Sequence, residues 1–133
     1  MVRTLVRAAL PAAALLVLVV PASASAAVYR GKNSHGLAIK VITKGGKVDK
    51  MITSAPSDCD SGPKPLSVGN VERAFRPNGT FMFRLSGPTY DFWFAGRRVG
   101  RRITGSFRSV MDNNDTGETC DTGVVDYTVR RRA

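Results

Sequence analysis

The sequence predicts an all-β domain, a single antiparallel β-sandwich or small up-and-down barrel of about eight strands, preceded by a helical signal peptide. Three observations carry this. Beyond residue 26 no stretch follows the helical period. Glycines and prolines interrupt the chain every 8 to 15 residues. The runs between them alternate apolar and polar side chains with period two. At 133 residues the chain has room for one domain.

Residues 1–26 read as a bacterial Sec-type signal peptide. Arg3 and Arg7 make a positive start, and Ala8 to Val20 is an apolar run of 13 residues. That is short of the roughly 20 needed to span a bilayer, and no stop-transfer charges follow. Pro21 to Ala26 is built of small residues, with Ala24 and Ala26 spaced as a cleavage site requires. Residues 27–133 then form a secreted or cell-envelope domain without a membrane span, expected to be a monomer. Once Arg3 and Arg7 leave, 18 basic side chains face 10 acidic ones.

The strands follow in order. Val28–Gly31 is a weak first one. Leu37, Ile39 and Val41 share a face opposite Ala38 and Lys40. Val48–Thr53 and Leu66–Val71 are weaker runs. Then Phe81, Phe83 and Leu85 alternate with Met82 and Arg84; Tyr90, Phe92 and Phe94 with Asp91, Trp93 and Ala95. Ile103, Gly105 and Phe107 alternate with Thr104, Ser106 and Arg108; Val125, Tyr127 and Val129 with Val124, Asp126 and Thr128. Strands apolar on one face must bury it against another sheet or inside a barrel. Turns are expected at Lys44–Lys47, at Pro77–Gly79 as a tight hairpin, at Ser86–Pro88, and from Gly96 to Gly100. Gly79, Gly105 and Gly123 each stand two residues before a core-facing side chain, where glycine relieves crowding or bends a sheet.

Outside the cytosol thiols oxidise, so Cys59 and Cys120 are most simply one disulfide. It would pin the loops Ala55–Pro65 and Met111–Thr119 and, by closing about 60 residues, contribute about 4 kcal/mol.

The closing segment Cys120-Asp121-Thr122-Gly123-Val124-Val125-Asp126-Tyr127-Thr128-Val129-Arg130 and the opening Tyr29-Arg30-Gly31-Lys32-Asn33-Ser34 are similar to small exported two-cysteine proteins of actinobacteria. The resemblance implies a single β-domain with one cysteine mid-chain and one before the final strand. It implies no activity.

Composition and motifs exclude several chemistries. Two cysteines cannot make a four-thiolate zinc knuckle, and His35 stands alone in an early turn, which does not fit a ribonuclease site. The acidic stretch from Asp112 to Glu118 spaces Asn114 and Gly117 like a calcium loop, but Gly123 stands where the bidentate Glu is needed. Asn78-Gly79-Thr80 matches a glycosylation acceptor, which a bacterial leader makes irrelevant. No cofactor or metal is expected. The densest charge feature is Arg97, Arg98, Arg101 and Arg102 at a hairpin, with Trp93 on the outer face nearby and Arg130, Arg131 and Arg132 able to extend it. Guanidinium forks grip phosphates, sulfates and carboxylates, so the expected partner is an anionic polysaccharide, wall polymer or nucleic acid. Two alternatives are a small hydrolase using Asp58 with Asp60 or Glu118 with Asp121, and a barrel whose Phe81, Phe83, Tyr90, Phe92 and Phe107 hold an apolar ligand.

Overall fold

A computed structural model describes residues 26–59, 62–112 and 116–132; the expected leader, residues 1–26, lies outside them except for its last residue. No helix occurs among the described residues. Ten strands form one antiparallel sheet: β1 (Ala27–Asn33), β2 (Ala38–Lys44), β3 (Lys47–Ala55), β4 (Lys64–Val68), β5 (Arg73–Ala74), β6 (Thr80–Ser86), β7 (Tyr90–Val99), β8 (Arg102–Asp112), β9 (Thr119–Asp121) and β10 (Val125–Arg131). The main path runs β4-β3-β2-β1-β10-β8-β7-β6, with β5 added to β3 and β9 to β8. The sheet therefore consists of two up-and-down runs joined where the first and last strands pair, Tyr29 opposite Arg131 and Asn33 opposite Tyr127. It curls into a half-barrel.

Alternation places the core. Ile39 and Val41, Phe92 and Phe94, Ile103 and Phe107, and Val125, Tyr127 and Val129 all face the concave side and are buried. Burying such side chains stabilises by about 1.5–3 kcal/mol each. A file of rings runs through this core: Phe75 meets Phe81 at 5.6 Å, Phe81 meets Phe94 edge-on at 4.9 Å, and Phe94 meets Tyr127 at 5.6 Å. The Tyr127 hydroxyl donates to the Ala95 carbonyl at 2.8 Å, and burial pushes its phenol pKa upward. The alternation weakens along the edge strand β6, where Phe81 is buried but Leu85, at the lower opening, is 47% exposed.

Two turns differ from expectation. Gly96 opens no turn: it lies inside β7 opposite Gly105 of β8, and the chain reverses at Gly100 and Arg101 instead. Here the backbones of β7 and β8 crowd each other and the Tyr127 hydroxyl. A Cβ on Gly96 would come within 2.5 Å of the Tyr127 hydroxyl, and one on Gly105 would run into the Ala95 carbonyl. Gly105 relieves crowding as its spacing predicted. The Asn78-Gly79 turn is tight, with the Gly79 amide donating to the Arg76 carbonyl and the Arg76 amide to the Thr80 carbonyl, both at 2.8 Å, but the β5 strand before it pairs with β3 and not with β6. Of Leu66–Val71, β4 ends at Val68, and the Val71 amide bonds β3 separately through the Asp49 carbonyl at 2.9 Å.

At the opposite rim Cys59 and Cys120 are joined, their Cα atoms 5.2 Å apart. The bond ties the β3–β4 loop to β9. Beside it the Asp58 amide donates to the Asp121 carbonyl at 3.1 Å, and the Asp121 amide donates to the Asp58 carboxylate at 2.7 Å.

Close backbone approach at Gly105 leads to a stability prediction. Gly105→Ala should lower unfolding free energy by about 3 kcal/mol in urea titrations, through overpacking. Gly69→Ala, where a Cβ meets no atom within 4 Å, should leave it unchanged or raise it by up to about 1 kcal/mol.

Candidate anion-binding rim

Strand direction sorts the charges. The rim carrying the β2–β3 and β7–β8 turns, here the upper rim, receives the ends of β2, β7 and β10 and the starts of β3, β6 and β8. It therefore collects Lys44, Lys47, Arg97, Arg98, Arg101, Arg102, Arg130 and Arg131, with Arg73 and Arg76 on the segment that crosses the open side. The lower rim, at the disulfide, collects Asp58, Asp91, Asp112, Glu118 and Asp121, and Asp126 lies in the first residues of β10 there. Asp49 and Glu72 are the described carboxylates on the upper half.

Neutralisation is equally one-sided. Arg84 and Asp91 pair across β6 and β7 with Nη2 to Oδ2 at 2.9 Å, and Ser86 also donates to Asp91. The Arg84 guanidinium, then the Ser86 hydroxyl, hold the Asp91 carboxyl below its usual range. Arg108 and Asp121 form a two-pronged pair at 2.6 and 3.0 Å. That guanidinium, with the Gly123 amide, lowers the Asp121 pKa, and the carboxylate in turn raises the Arg108 pKa. Both of these ion pairs lie toward the lower rim. Among the described residues, no cation of the upper rim is in an ion pair.

The residues singled out from sequence separate into different roles. Arg101 and Arg102 are exposed at the β7–β8 turn, where the Arg131 amide donates to the Arg101 carbonyl at 2.8 Å and register sets Arg102 opposite Arg130. Arg101, Arg102, Arg130 and Arg131, with Val99, line one open depression. Arg98 turns inward, its guanidinium carbon 4.1 Å from the centre of the Phe75 ring, a packing contact that caps the core. Arg97 stays exposed, but its Nε donates to the Asn78 carbonyl at 3.2 Å. Trp93 is half-buried between Arg84 and Arg108 on the neighbouring strands, toward the lower rim and away from the turn arginines. Sequence reasoning missed Arg30 and Lys40. They stand exposed and half-buried respectively in β1 and β2, in register with Arg130. Their outward parity was readable, whereas their neighbours across the sheet were not.

The other candidates are also placed. Asp121 is committed to Arg108 and Asp58 to the Asp121 amide, Glu118 is exposed, and Asp60 lies outside the described residues. His35 is exposed in the β1–β2 turn, which Asn33 ties to Thr53 at 3.1 Å. No group of three or more His, Cys, Asp or Glu is arranged around a shared metal position among the described residues. Phe81, Phe92 and Phe107 pack in the core. Apolar space lies instead at the lower opening, where a trough of about 300 Å³ is lined by Ala55, Pro65, Leu66 and Met111. It continues past Leu66 and Met111 to Val68, Leu85 and Tyr90.

The fold and its charge layout define a curled β-domain with one cationic rim. No family model, curated protein or solved structure matches the chain.

The Arg108–Asp121 pair sets an acid limb. A depressed carboxyl pKa contributes stability above the unfolded value near 3.8, and that contribution is lost as pH falls through the folded value. Urea titrations of wild type and Asp121→Asn should show a constant stability gap at neutral pH that closes below about pH 4. A gap that widens on acidification contradicts the assignment.

Proposed function

We propose that this chain is an exported, non-catalytic β-domain that binds anionic polymers of the cell envelope or its surroundings through the upper rim. The observation carrying this reading is the segregation of charge among the described residues: arginines outside any ion pair gather at one end, while most carboxylates, with the two ion pairs just described, gather at the other. A cationic end with an anionic one opposite orients the molecule toward a polyanion and repels its far side. The disulfide is compatible with life outside the cytosol, and no described helix is long and apolar enough to cross a membrane. The sorting depends on strand ends, so the site is held on rigid elements and not on a floppy tail.

Binding of this kind is salt-sensitive. Arg101→Ser with Arg102→Ser should lower the salt needed to elute the protein from phosphocellulose. Arg84→Ser with Lys64→Ser removes the same charge at the far end and should change elution much less. Equal losses from the two variants would reduce the effect to net charge.

A second reading is favoured by the lower trough: a small apolar molecule seated between Leu66, Val68 and Met111. A fluorescent apolar probe should bind the wild type and be lost from Leu66→Glu, while phosphocellulose retention stays the same. A probe signal unaffected by Leu66→Glu would remove this reading.

A further inference from the structure

The sheet register carries the cationic surface well beyond the hairpin. On the convex face, Arg102 of β8 stands opposite Arg130 of β10. Arg130 stands opposite Arg30 of β1, and Arg30 opposite Lys40 of β2. Four cations thus lie side by side on four adjacent strands, about 4.8 Å per step, a track of about 14 Å running across the strands. Two residues toward the lower rim a second row repeats the theme, with Arg97, Thr104, Thr128 and Lys32 in successive register. Beyond it Asp126, bonded to Ser106 at 2.6 Å, marks the acidic boundary.

Like charges directly opposite across strands destabilise a sheet. Here three such oppositions follow one another, and no carboxylate relieves them by an ion pair among the described residues. Neither row carries an aromatic side chain on which a base could stack. The rows offer guanidinium and ammonium groups, with two threonine hydroxyls as neutral donors, on rigid strands.

We propose that Arg102, Arg130, Arg30 and Lys40 form a track for a linear, flexible polyanion bearing phosphate or sulfate groups, which lies across the strands and is recognised by its charges without base stacking. This rests on the polyanion-binding reading and names its substrate class. It adds Arg30 and Lys40 to the site and requires several linked charges in one ligand.

The test uses the full domain, with long-chain inorganic polyphosphate, dextran sulfate, poly(dT) and pyrophosphate as probes. Long polyphosphate and dextran sulfate should each raise the melting temperature, whereas pyrophosphate at equal charge concentration should not. Arg30→Ser with Lys40→Ser should reduce the slope of log affinity against log salt for polyphosphate by about two. The same variant, tested without ligand at low salt, should melt at or above the wild-type temperature, because two like-charge oppositions are gone. A lower ligand slope with an undiminished melting temperature separates lost binding from lost folding. If Arg30→Ser with Lys40→Ser leaves the slope unchanged while Arg101→Ser with Arg102→Ser lowers it, the track is wrong and the rim reading survives. If poly(dT) binds more tightly than polyphosphate at equal phosphate, recognition is of nucleic acid and the track proposal falls. If no polyanion is retained by the wild type, both readings fall. Preference between polyphosphate and dextran sulfate tells phosphate from sulfate polymers.

Discussion

The whole arrangement depends on how closely the backbones of β7 and β8 approach each other beside the Tyr127 ring of β10. Gly96 and Gly105 face each other with the Tyr127 hydroxyl between the strands, and that hydroxyl bonds the Ala95 carbonyl. Side chains at these positions would hold the strands apart. Their absence lets one sheet bend tightly enough to bury the Phe81–Phe94–Tyr127 rings on itself, without a second layer. A domain of this size buries only about two-thirds of its unfolded surface. Curling one sheet is an economical way to enclose a core.

Curling also determines the surface. In an antiparallel meander alternate strand ends meet at the same rim, so residues far apart in sequence become neighbours there. Arg101 and Arg130 meet this way, as do Asp58 and Asp121. The open side is spanned by β5 and the Phe75 segment, and the edge strand β4 carries Lys64 and Pro65, which discourage pairing with another chain.

Much of the fold was legible because period-two alternation is strong where a strand has neighbours on both sides. Ile103, Phe107, Val125, Tyr127 and Val129 lie in such strands and are buried. The disulfide followed from two cysteines read together with the expected export. The misreading of Gly96 has a physical cause: a glycine required by close approach looks, in sequence, like one required by a turn. The strands β5 and β9, with 2 and 3 residues, are too short to show a period. For the candidate site, parity counted from Phe92 already turns Arg98 inward with Phe94, so its separation from Arg97 was available to a closer reading. The row through Arg30 and Lys40 was not, since it exists only once strand order and register are known.

The pairing of the first strand with the last has a kinetic consequence. The two meanders cannot join into one sheet until β1 finds β10, nearly the full length of the domain away in sequence. Contacts so distant are closed late and slow the search for the native state. Until that seam closes, β1 and β10 each present an unpaired strand edge, so the two halves share the exposure that an edge strand carries.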